Sequence, residues 1–173
     1  MFYLGMDIAK AKLDCCLLLN EAGDKRKSKA IANTKAGVSA LLEWTAKQGV
    51  PVAQLHVVMD ATGVYHEQAA LALVDAGVMV SIINPAQVKD FGRSLGIRTK
   101  TDGMDSVVLA KYGALLKPAI QLRQGNHRDM QFLRQSFQRT RDFRNFGGAV
   151  FTRTAGRHQL QVIDHDEAEL AAL

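Results

Sequence analysis

Apolar and polar residues first alternate with a period of two. Phe2, Leu4 and Met6 fall on one side of an extended segment from Phe2 to Ile8, and Tyr3, Gly5 and Asp7 on the other. Gly5 leaves room for something to approach on the face that carries Asp7. Lys12 to Asn20 is a second such segment, and the short Ala9 to Ala11 link makes it antiparallel to the first. Turn chemistry around Gly23 leads to a third strand, Lys25 to Ala32, whose lysines suit a sheet edge. The period then changes. Val38, Leu41, Leu42 and Thr45 recur at helical spacing within Thr34 to Gln48, with Thr34 or Asn33 as the cap. Leu55 to Met59 is a continuous apolar strand of the kind buried on both faces, and it ends in Asp60. A tight turn at Ala61-Thr62-Gly63 precedes a helix from Tyr65 to Ala76, stopped by Gly77. Val78 to Ile83 is another buried strand, and Asn84-Pro85 starts a short helix running to Ser94. Thr101 can cap a last helix, with Asp102 and Asp105 in its first turn and Val107 to Leu116 as its body.

This order, β-β-β-α-β-α-β-α, predicts an α/β protein with a mixed sheet of about five strands flanked by helices. The two continuous apolar strands should be central and parallel, joined by a right-handed crossover. Sites in such sheets form beyond the carboxyl ends of parallel strands. Asp7 and Asp60 end two strands and converge if those strands are neighbours. Asp102 and Asp105, three apart, share one helix face and would complete the group. Acidic residues in a first turn are also the ordinary complement of a helix dipole, so this pair gains meaning only from what it meets in space. Two unit charges about 4 Å apart repel by roughly 1 kcal/mol in water and about 4 kcal/mol at an effective dielectric of 20. A bound divalent cation reverses that balance, and all-oxygen ligands suit Mg²⁺ or Mn²⁺. Two ions about 3.5–4 Å apart can stabilise both the attacking and the leaving oxygen at a phosphodiester. The pattern therefore predicts a metal-dependent phosphodiester-processing site on a ribonuclease-H-like sheet.

Composition narrows the partners. At 173 residues, 47% of them hydrophobic, the chain can build one full domain and an appendage. A net charge of +5 and a pI near 9.4 suit a polyanionic partner. Lys10, Lys12, Arg93, Arg98 and Lys100 are the best-placed candidates for nucleic-acid backbone contacts, with solvated surface as the plainer alternative. Cys15 and Cys16 are adjacent and point to opposite faces of a strand, as reduced fillers do. No apolar run reaches membrane-spanning length and no signal-peptide pattern is present, so the cytoplasm is the expected location.

Beyond Pro118 the composition shifts. His127 to Phe146 reads as an arginine-rich helix with Met130, Leu133 and Phe137 as an apolar stripe. Gly147-Gly148 ends it, Phe151 to Ile163 is either a short strand pair or a disordered stretch, and Asp164 to Leu173 begins an acidic helix.

Four segments carry a family resemblance: Gly5-Met6-Asp7-Ile8-Ala9-Lys10, Val58-Met59-Asp60-Ala61-Thr62-Gly63-Val64-Tyr65, Asn84-Pro85-Ala86-Gln87-Val88-Lys89-Asp90-Phe91, and Lys100-Thr101-Asp102-Gly103-Met104-Asp105. In this order and spacing they resemble the DEDD transposases of the insertion sequence 110 group, which include the Piv-type pilin-gene invertases. The resemblance covers residues 1 to about 118. It implies a RuvC-like nuclease domain in which Asp7, Asp60, Asp102 and Asp105 hold two Mg²⁺ ions and act in DNA strand cleavage and exchange. It further implies that residues 119–173 form a helical, coiled-coil-like connector for homo-oligomerisation, and that some members pair with DNA through a guide RNA. The setting it implies is a bacterial cytoplasm, at the nucleoid when acting. Two departures stand out. The family usually has glutamate where this chain has Asp60, one methylene shorter, and Glu67 is two helical turns further on. The family also carries a C-terminal domain with a serine nucleophile, and no such segment is found here, so the chain reads as a fragment or truncated copy. Two other readings compete. A sugar-kinase or actin-like ATPase also opens with a glycine-aspartate strand, but needs two lobes and a second phosphate loop. An inactive nuclease-fold remnant would only bind nucleic acid or dimerise.

Overall fold

The computed structural model describes residues 1–20, 23–61, 65–96, 104–120, 122, 149–154 and 157–162. The chain divides into two units, Met1–Met130 and Gln131–Leu173. In the first, β1 (Phe2–Ile8), β2 (Lys12–Leu18) and β3 (Arg26–Ala32) form the expected antiparallel meander. Then come α1 (Lys35–Lys47), β4 (Leu55–Asp60), α2 (His66–Asp75), β5 (Met79–Ile83), α3 (Pro85–Ser94) and α4 (Met104–Leu116). The sheet order is β3-β2-β1-β4-β5, with β4 parallel to both β1 and β5.

One expectation is corrected. The two continuous apolar strands are parallel, but only β4 is interior; β5 lies at the margin of the sheet. Its outer side is met at one point by Leu122, which exchanges two backbone hydrogen bonds with Val80, at 2.9 and 3.1 Å. The apolar run in β5 is thus covered by chain returning after α4, a contact that strand patterning does not reveal.

Local chemistry explains the boundaries. The Thr34 hydroxyl accepts from Gly37 N–H at 3.1 Å and caps α1. The Asn84 side chain accepts from Ala86 N–H at 2.9 Å, and Pro85 occupies the first turn of α3, where its missing N–H costs nothing. Gly77, at φ 88°, takes the left-handed conformation that ends α2.

The sheet separates two helical layers. On one pleat face Leu4, Met6, Leu13, Leu17, Leu55, Val57 and Met59 are fully buried. The α1 helix lies on this side: Lys29 of β3 sits over the Trp44 ring and Lys27 donates to Gln48. On the other face runs α4, and its closeness is set by small residues. A Cβ on Gly5 would lie 2.0 Å from the Ser106 carbonyl oxygen and 2.3 Å from the Ala110 nitrogen. At Gly113 it would lie 2.7 Å from Tyr3 Cδ1 and 2.8 Å from Val58 Cγ2. Gly5 therefore does leave room for an approach, and what approaches is the α4 backbone. The outer side of α4 is covered by α3, through Val108 against Gly92 and an edge-on Phe91–Tyr112 pair 5.2 Å apart. Covered on both sides, Ser106 to Ala110 are all buried, which is why this helix lacks a polar stripe.

Under this layer His56 Nε2 lies 2.8 Å from Ser81 Oγ, and Ser81 Oγ donates to the Ala119 carbonyl at 2.8 Å. The serine proton is committed to Ala119, so His56 donates from Nε2. Burial holds its pKa down at about 4, against an ordinary 6.5. The unfolded chain thus takes up a proton near pH 6.5 that the folded chain refuses until about pH 4. This contribution to stability is complete above pH 6.5 and is lost as pH falls towards 4, roughly 3 kcal/mol in all. Urea unfolding at pH 7 and pH 4.5 should show most of that loss, and a His56→Gln variant should show a flatter pH dependence.

The second unit contains β6 (Ala149–Thr154) and β7 (Arg157–Val162), an antiparallel pair in register from Ala149 opposite Val162 to Thr154 opposite Arg157. Of the alternatives open for Phe151 to Ile163, the strand pair is the one present. The helices expected over 127–146 and 164–173 lie outside the described residues. No helix among the described residues is long and apolar enough to cross a membrane.

Candidate active site

The ladder between β1 and β4 pairs Met6 with Met59, so the next residues, Asp7 and Asp60, stand side by side at the same end of the sheet. Both lie on the pleat face that α4 crosses. Asp105, in the first turn of α4, comes to the same place. The electrostatics of Asp7 record the meeting. Its pKa is raised from 3.8 to about 6, first by partial burial, then by the negative charges of Asp60, Asp105 and Asp14, with a backbone hydrogen bond at Ile8 acting the other way. Asp60 is half-buried, with its Oδ1 atom shielded from solvent. Asp102, like Thr101, lies outside the described residues. Among the described residues, no three His, Cys, Asp or Glu side chains close together tightly enough to enclose a metal ion.

Asp14 is a site residue that the sequence reading missed. It sits directly opposite Asp7 on β2, so Asp14, Asp7 and Asp60 form a lateral row across three strands. The signal was available: the short Ala9 to Ala11 link pairs Ile8 with Leu13 and hence Asp7 with Asp14. Lys12 forms an ion pair with Asp14 at 2.8 Å and stays half exposed.

A second missed residue is Asn33. It was a candidate cap for α1, but Thr34 does that work. Asn33 Nδ2 donates to the carbonyls of Ala9 and Tyr65, each at 3.0 Å. Ala9 follows Asp7 by two residues and Tyr65 precedes α2, so one amide ties together the segments that leave β1 and β4.

Of the expected backbone-contact residues, Lys10 is exposed just beyond β1, on the loop after Asp7, and Lys12 opens β2 beside Asp14. Arg93 is exposed in the last turn of α3 and pairs with Asp90 at 3.2 Å. Arg98 and Lys100 lie outside the described residues.

A mixed sheet in the order β3-β2-β1-β4-β5, with acidic residues ending β1 and β4 and opening the helix across them, is a ribonuclease-H-like fold. Within it, the chain belongs to the DEDD transposase family of insertion sequence 110, whose profile, described as a transposase, matches residues 4–145. Over 118 residues the chain is 36% identical to the pilin gene-inverting protein of Moraxella bovis and 35% identical to that of Moraxella lacunata. Each match covers 68% of this chain and 36% of the relative, so the chain spans little more than a third of the length of these relatives. RuvC of Thermus thermophilus, in a complex with Holliday junction substrate and in a further structure, aligns with TM-scores of 0.49 and 0.46 at 14% and 15% identity. Each alignment covers 68% of this chain and 96% of RuvC.

Proposed function

We propose that this chain is the N-terminal catalytic part of a DNA transposase or site-specific recombinase, with Asp7, Asp60, Asp102 and Asp105 as a metal-binding, strand-cleaving site. The observation that carries this is the placement of Asp7 and Asp60 side by side at one end of the sheet, on the face where α4, seated on Gly5, brings Asp105. Acidic groups gathered where they repel one another are costly unless a cation joins them. The donor set, carboxylate oxygens alone, fits Mg²⁺ or Mn²⁺ in one or two positions. When bound, such ions polarise a scissile phosphate and activate its attacking oxygen. The chain's own residues do the rest. Asp7 and Asp60 are fixed by the β1–β4 ladder, and Asp105 is carried to them by the close seat of α4 on Gly5. Lys10, Lys12, Arg93, Arg98 and Lys100 hold the DNA backbone around them. Asp60 is one methylene shorter than the glutamate usual in the family, so to hold a metal it would need closer backbone approach or a bridging water; otherwise the site would be weakened.

The remaining parts of the reading are a cytoplasmic, nucleoid-acting protein that self-associates through residues 119–173 and, as in some family members, works with a guide RNA. The expected result for the full-length enzyme is that Asp7→Ala and Asp105→Ala each abolish Mg²⁺-dependent strand cleavage while circular dichroism shows the fold intact. Activity retained in both would sink the assignment. A second reading rests on Asp60, one methylene shorter than the glutamate usual in the family. DNA binding indifferent to Mg²⁺, with no cleavage, would mark a nuclease-fold remnant that binds nucleic acid without cutting it.

A further inference from the structure

The open margin of the sheet is β3, and nothing among the described residues pairs with its outer side. Lys25, Arg26, Lys27 and Lys29 place four cations in five residues there. Lysine on an edge strand commonly serves to discourage edge-to-edge pairing, and disordered charge is enough for that purpose. Here two of the cations are held. Lys27 Nζ donates to Gln48 Oε1 at 2.6 Å, and Lys29 Nζ stands 5.8 Å from the centre of the Trp44 ring. Both partners are neutral, so they orient the ammonium groups without cancelling their charge. Among the described residues none of the four cations forms an ion pair; the pairs present are Lys12–Asp14 and Arg93–Asp90. The neighbouring acid, Asp24, is engaged by the Asn20 side chain and the Lys25 N–H.

Register ties this edge to the carboxylates. Ala30 on β3 is opposite Asp14, and Asp14 is opposite Asp7. Lys29 precedes Ala30, so the cations begin two strands from Asp7, roughly 10 Å away, and run about 13 Å along the edge towards the opposite end of the sheet. Arg26 projects on the α4 side, Lys27 and Lys29 on the α1 side, so charge is offered from both faces of the margin.

We infer that the β3 edge is a contact surface for the phosphodiester backbone of double-stranded DNA, holding the duplex beside the carboxylate site. The inference rests on the proposed function above and adds a surface separate from Lys10, Lys12 and Arg93. Such contacts neutralise phosphates and release counterions, so each removed contact should lower the salt dependence of binding by about 0.9 in the log–log slope.

The test is fluorescence anisotropy of a labelled DNA duplex with the full chain, titrated across KCl concentrations in EDTA, so that no divalent ion contributes. Lys27→Gln/Lys29→Gln should weaken binding about tenfold at moderate salt and lower the slope by roughly 2. A charge-matched control, Lys89→Gln/Lys117→Gln, should leave the slope nearly unchanged. Four results would overturn the inference: an edge variant that binds like the parent, a control that loses as much, a parent with no affinity for duplex, or a loss seen only with a single-stranded RNA probe. None of them bears on the carboxylates, which are judged by cation binding.

Discussion

Replacing Asp7 by asparagine should raise the thermal stability of the metal-free protein and remove its response to divalent cations. The Asp7 carboxyl titrates near pH 6 in the folded chain, against 3.8 ordinarily, because burial and the charges of Asp60, Asp105 and Asp14 oppose its ionisation. The folded state therefore tolerates the carboxylate less well than the unfolded state does, and at pH 7 and above the charge is destabilising. Asparagine keeps the shape and removes the charge. After allowing for the solvent that reaches a half-buried group, the gain is about 1–2 kcal/mol, a rise in melting temperature of roughly 2–8 °C. The effect on metal is opposite. Outer partners of a metal site already account for about 10–100-fold in affinity, and a direct ligand should account for at least as much. Thermal melts with and without excess Mg²⁺ separate the two effects. The parent should gain stability from Mg²⁺ and the variant should not. A variant less stable than the parent without metal would contradict the crowding of charge at Asp7.

A severe loss of stability is expected from a single added methyl group at Gly5. In Gly5→Ala the new Cβ would meet backbone atoms, 2.0 Å from the Ser106 oxygen and 2.3 Å from the Ala110 nitrogen. No rotamer change relieves a clash with main chain. The α4 helix must lift from β1, opening its packing over Val58 and Cys16. Overpacking of cores commonly costs about 1–3 kcal/mol, and a clash with helix backbone belongs beyond that range, at about 3 kcal/mol or more. Against a domain stability of about 5–15 kcal/mol this is a severe loss. The same lift carries Asp105 away from Asp7 and Asp60, so any folded fraction should also bind divalent cations weakly. Urea unfolding reads the first effect, and a midpoint unchanged from the parent would contradict the observed seat of α4.

Much of the fold was legible because hydrophobic period, caps and breakers agreed. The alternation of Phe2 to Ile8, the helical spacing after Thr34 and the Asn84-Pro85 start each gave an element in the observed place. What stayed hidden depends on pairs of distant residues. Only the β1–β2 register brings Asp14 beside Asp7, although the shortness of the link could have given it. Asn33 and Thr34 both carry capping chemistry, and only the positions of the Ala9 and Tyr65 carbonyls show that Asn33 is a clamp. An apolar run shows that β5 is covered, but not that Leu122 and a marginal position do the covering. In the candidate site, ending two strands with Asp7 and Asp60 was readable from sequence, because strand ends and topology together imply a common edge. Repulsion among converging carboxylates was also foreseeable, but the partial burial that does most to raise the Asp7 pKa was not, since it depends on how closely α4 packs on the sheet.

The most direct measurement is a calorimetric titration of Mg²⁺ and Mn²⁺ into the parent chain and into an Asp102→Asn/Asp105→Asn variant, first alone and then with DNA present. The expected result is cation binding by the parent that the variant lacks, either without DNA or once a scissile phosphate supplies further oxygens. Equal binding by both proteins, or none by the parent with DNA present and the fold intact, would contradict a metal site built on these carboxylates.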